Sequence, residues 1–134
     1  MLGWHISVYR QTNDGLGPAT AESGTGGRLA VWQTGLGGLD WIEDLVKAGN
    51  AIDLGGNGYP VRYTALAKSL IPQISEGPPG ARMTWVCGKD DILTDKWEGK
   101  TVIDRGVIQA CSPDEWLLVE AWDESYPLQH HTRT

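Results

Sequence analysis

Phenylalanine is absent from the chain, although seven Trp and four Tyr are present. Indole therefore fills core space that a benzyl ring would usually take. Tryptophan also recurs at binding hot spots, because its ring is apolar while its N–H donates. One or two of the seven are expected to stand partly exposed. Histidine and cysteine are scarce. The only histidines are His5, His130 and His131, and the only cysteines are Cys87 and Cys111. That pair fits no metal-ligand spacing and reads as reduced thiols of a cytosolic protein. Cations are outnumbered: 11 Lys and Arg face 17 Asp and Glu, a formal net charge of -6. Nucleic acid and anionic membranes both select cationic footprints, so neither is an expected partner. A protein with a basic surface is, since acidic patches steer such encounters. No apolar run reaches the ~18 residues of a membrane span. The opening MLGWHISVYR lacks a signal-peptide core. The expected location is the cytoplasm.

Familiar catalytic and cofactor patterns fail on inspection. Gly99-Lys100-Thr101 suggests a phosphate loop, but Thr94 stands where the first glycine belongs, and β-branched residues follow. Gly35 to Asp40, GLGGLD, has the layout of a dinucleotide turn, but Asp40 occupies the third glycine position and would repel a pyrophosphate. Asp90, Asp91, Asp95 and Glu98 lack calcium-loop spacing. Cys87 has no histidine near it in sequence to act as a base. No catalytic residue, metal site or cofactor is assigned.

The length of 134 residues suits one domain, with no need of a disulfide or metal staple. Residues 1–125 read as a single α/β domain containing a flexible glycine-rich loop at 12–27, and 126–134 as a loosely held tail. Within WHISVYR, Trp4, Ile6 and Val8 alternate with His5, Ser7 and Tyr9, the period of a half-buried strand. Residues 28–33 read as a second strand. Leu39, Ile42, Leu45 and Val46 recur at helical spacing, acids cluster early, Lys47 comes late, and Gly49 marks the stop. AIDL and YPVRY flank GGNG, the signature of a hairpin, in which Pro60 suggests an edge strand. TALAKSLI predicts a short helix that Pro72 terminates. RMTWVCG predicts a strand, as does TVI, and Asp104 a helix cap. Residues 112–115 carry a capping-box pattern. The stretch Trp116–Trp122, apolar on nearly every side, instead predicts a strand buried on both faces. The sum is an α+β (mixed α/β) domain: a mixed or largely antiparallel sheet of about five strands with two or three packed helices.

Function is expected from the surface. Asp114, Glu115, Glu120, Asp123 and Glu124 fall within eleven residues lacking Lys and Arg, beside Trp116 and Trp122. This combination suits capture of a basic protein, as an inhibitor or immunity protein would perform it. The alternative is a small-molecule binder or small enzyme whose pocket uses the glycine loops, Arg62 and Tyr63, with His5, Tyr9 and Glu120 from polar strand faces. A carboxylate at Glu120 must find a donor there or take up a proton. A homodimer or a larger assembly is compatible with the composition.

Overall fold

The computed structural model describes residues 3–75 and 101–123. They form an α+β fold: one antiparallel sheet of six strands with three helices among the described residues. The strands are β1 (Trp4–Gln11), β2 (Thr25–Thr34), β3 (Ala51–Gly55), β4 (Val61–Leu66), β5 (Val102–Ile103) and β6 (Trp116–Asp123). Their order across the sheet is β3-β4-β6-β1-β2-β5. The helices are α1 (Asp40–Lys47), α2 (Ala67–Ile74) and α3 (Arg105–Ala110).

Alternation assigns each strand its faces. Ile6 and Val8 of β1, Trp32 of β2, Tyr63 and Ala65 of β4, and Leu117, Val119 and Ala121 of β6 enter one core with Trp41 and Ile42 of α1 and Leu70 and Ile74 of α2. Each fully buried large aliphatic residue contributes about 1.5–3 kcal/mol. β6 lies in the middle of the sheet, paired with β1 and β4. Its mostly apolar character, interrupted by Glu120, follows, since Leu118 on the opposite face is also fully buried. Of the capping-box pattern at 112–115 only half forms: Ser112 N donates to Glu115 Oε1 at 3.3 Å, but Ser112 Oγ accepts from Asp114 N, and Glu115 N donates to the Ser112 carbonyl. It closes a turn into β6 rather than starting a helix.

α1 ends as the sequence predicts. Gly49 adopts φ +83°, its N–H donates to Val46 O, and Asn50 N–H donates to Leu45 O at 2.8 Å. This double closure is a Schellman motif. α3 also starts as predicted, with the Asp104 side chain accepting from Val107 N at 3.1 Å.

Three expectations are revised. β2 begins at Thr25, inside the stretch read as loop. Thr64–Leu66 belongs to β4, so the following helix starts at Ala67 and runs through Pro72. Pro72 lies on the exposed side of α2, as does Lys68, the residue whose carbonyl loses its N–H partner. The first donors of α2 are met by the turn before β6: Ala67 N donates to Glu115 O and Lys68 N to Pro113 O. Third, Pro60 sits just outside β4, and β4 is interior; β3 is the edge. The hairpin joining them is wider than an Asn-Gly turn. Gly55, Gly56 and Gly58 hold the positive φ values, and Asn57 instead accepts from Tyr59 N through its side chain. Gly56 is required twice over, by its φ of +127° and because a Cβ there would meet Pro60 O at 2.3 Å.

No helix of the described residues is long and apolar enough to cross a membrane. The strand predicted at 82–88, Cys87, the acidic cluster at 90–98 and the tail from 126 lie outside the described residues, as does Glu124.

Candidate functional site

The second face of the sheet carries the polar alternates of the strands. On it Arg62 of β4, Glu120 of β6 and Ser7 of β1 stand side by side, because Glu120 is in register with both. Arg62 donates to Glu120 Oε2 from Nε at 3.1 Å and from Nη2 at 2.5 Å. Its Nη1 donates to the carbonyls of Ala21 and Ser23 at 2.8 and 3.0 Å. The donor that a buried carboxylate demands is thus Arg62, and the pair is a structural clasp. Next to it Thr64 Oγ1 donates to Leu117 O and accepts from Ala19 N. Gln11 Nε2 reaches Gly17 O and Trp116 O. Through these contacts the 12–24 connection folds back across the polar face, leaving Ser7, Thr64 and Leu118 buried.

The other predicted residues are dispersed. Tyr63 points into the core, 1% exposed, on the face opposite Arg62. Its hydroxyl donates to Glu43 Oε2 of α1 at 3.0 Å. Burial, the bond to Glu43 and the charges of Glu43 and Asp53 push its pKa well above the usual tyrosine value. It cannot serve as a ligand arm. His5 is half-buried and pairs across strands with Trp122 on β6 and Gln33 on β2. Tyr9, also half-buried, is opposite Leu118. Trp122 is exposed, Trp116 half-buried, and Asp123 is half-buried with its N–H donating to Gly58 O.

Three of the acids expected at 114–124, Asp114, Glu115 and Glu120, meet cations of this chain. Glu115 is buried, accepting two bonds from Arg10 at 2.8 and 3.0 Å. Glu120 is held by Arg62, and exposed Asp114 lies 3.6 Å from Lys68 Nζ. These carboxylates do not form the continuous acidic surface expected of them. Beside Arg10, the Cys111 thiol is half-buried and donates to Val107 O. Burial chiefly, and then the charge of Glu115, push its pKa up against the opposing pull of Arg10. This is the reverse of what activates a nucleophilic thiol.

Uncompensated charge sits elsewhere. Asp40, Glu43 and Asp44 line the exposed side of α1, and Asp53 is exposed on β3. Among the described residues none of the four forms an ion pair. Lys47 is the only cation on α1. The amphipathic spacing of α1 carried this signal, because its acids occupy the side away from the core. A cavity of about 180 Å³ lies on the opposite flank, lined by Arg28, Leu29, Ala30, Val102, Asp104 and Val107. His5, Tyr9, Arg62 and Glu120 take no part in it. The chain matches no family model, no curated protein and no solved structure.

Proposed function

We propose that the chain is a non-catalytic, acidic protein-binding module, inhibitor- or immunity-like, which acts in the cytoplasm by occupying a basic site on another protein. One observation supports this reading above others. Arg10 and Arg62 are spent on internal carboxylates, whereas Asp40, Glu43, Asp44 and Asp53 remain exposed on one flank without an ion-pair partner among the described residues. Such a flank attracts a cationic surface and raises the encounter rate in a salt-dependent way. The alternative small-molecule reading called for an open pocket at Arg62 and Glu120; the backbone of residues 19–23 occupies that position.

The test is affinity capture at low ionic strength, with the triple variant Glu43→Gln/Asp44→Asn/Asp53→Asn as control. Each amide keeps an oxygen, so the bonds from Tyr63 and Gly55 N survive. The expected outcome is recovery of a basic protein, lost in the variant and lost as salt shortens the screening length to about 3 Å near 1 M. Capture of nothing, or of a partner indifferent to both changes, refutes the proposal.

A further inference from the structure

Deepening the acidic-module reading, and resting on it, we propose that the outer edge of β3 accepts an extended, lysine- or arginine-bearing segment of the partner as an added strand. Among the described residues β3 is the last strand on its side of the sheet, and β4 alone pairs with it. Half of the backbone donors and acceptors of an edge strand have no ladder partner and form a template for one more strand. Apolar contact is available at the same place, because Ile52 is 43% exposed and Leu54 is half-buried.

Charge names the occupant. Asp53 stands mid-strand and exposed, its Oδ1 accepting from Gly55 N at 2.8 Å. Tyr63, its register partner on β4, donates its hydroxyl to Glu43 of α1 at 3.0 Å, which brings a second carboxylate to this end of the sheet. In an in-register antiparallel pairing of two copies of β3, the two Asp53 side chains would oppose each other, and like charges across a ladder are destabilising. The feature that bars a second copy favours a cationic strand. The far edge offers a poorer template, because β5 has two residues.

The experiment follows the amide resonances of the labelled full chain at about 50 mM salt. Three capped hexapeptides are added: one alternating lysine and valine, one with alternate backbone nitrogens of that peptide methylated, and one alternating glutamate and valine. The expected result is binding of the lysine peptide with shifts and slowed exchange concentrated at residues 51–55. The N-methylated peptide binds at least about tenfold more weakly, from the loss of two or three strand bonds. Asp53→Asn weakens the lysine peptide by about threefold. Equal binding of the methylated peptide overturns strand addition while leaving the acidic-module reading standing. Equal binding of the glutamate peptide overturns the selection by charge. No binding, shifts centred away from β3, or concentration-dependent shifts at 51–55 in the protein alone, which place a second copy on the edge, also overturn the inference.

Discussion

Removing Arg62 should cost far more than removing the charge it neutralises. In Arg62→Met, Glu120 stays 7% exposed and loses its cation, and the carbonyls of Ala21 and Ser23 lose their donor. Breaking a buried pair from one side costs about 3–5 kcal/mol. The side chains here are 17% and 10% exposed, which argues for the lower end, about 3 kcal/mol. In Glu120→Gln the amide oxygen still accepts from Arg62 and both loop carbonyls keep their donor, so the loss is the difference between a carboxylate and a neutral acceptor, about 1–1.5 kcal/mol. The double variant leaves no isolated charge. It should cost about 2–2.5 kcal/mol, a coupling of about 2 kcal/mol against the summed single variants. Urea unfolding measures all four corners. With a slope of about 2 kcal/mol per molar, Arg62→Met lowers the midpoint by about 1.5 M. Hydrogen exchange supplies the second readout, since amides of residues 19–24 should exchange faster in Arg62→Met and little changed in Glu120→Gln. Additive costs, equal costs for the two single variants, or unaltered loop exchange would refute the clasp.

Other outcomes follow from the same geometry. Tyr63 keeps its proton in the folded state above the pH at which the unfolded chain releases it. Its stabilising contribution is therefore intact below about pH 10 and declines above it, by up to about 1.4 kcal/mol per pH unit. Melting curves between pH 9 and 11 should fall more steeply for the native chain than for Tyr63→Phe, and equal slopes would contradict the assignment. Gly56→Ala should lose about 1–3 kcal/mol in denaturant unfolding, from positive φ and the approach to Pro60 O; a neutral substitution would mean that the turn has another conformation. Trp32→Phe should cost less than the 3–5 kcal/mol of a full truncation. It removes an indole N–H that has no partner among the described residues while keeping a ring against Trp41, whose centroid is 5.9 Å away. A calorimetric loss above about 3 kcal/mol would show that this N–H is satisfied.

Local signals were legible where one neighbour in sequence decides the outcome. Alternation in Trp4–Arg10, the spacing and glycine stop of α1, the Asp104 cap and the doubly buried run after Trp116 each specify their element within about ten residues. What was not legible depends on distant partners. Thr64 looks helical beside TALAKSLI, yet its hydroxyl is claimed by Leu117, fifty-three residues on. Glu115 and Glu120 look like surface charge until Arg10 and Arg62 arrive from 105 and 58 residues away. The polar loop at 12–24 gave no hint that its carbonyls would seat an arginine, because the backbone groups that hold it are the same in every sequence. At the candidate site, Arg62 and Glu120 were both expected as residues of an open pocket but form an internal pair, and the exposed acids of α1 were read only as the solvent side of a helix.

The strand order has a consequence for how the molecule is assembled. β6 emerges from the ribosome after every other described strand, yet it matches seven residues of β1 and six of β4. Until it is synthesised, the β1–β2 and β3–β4 ribbons have no common neighbour. The sheet closes like a zip whose slider comes last, so refolding should wait on these long-range pairings and proceed on the millisecond-to-second scale of non-local topologies.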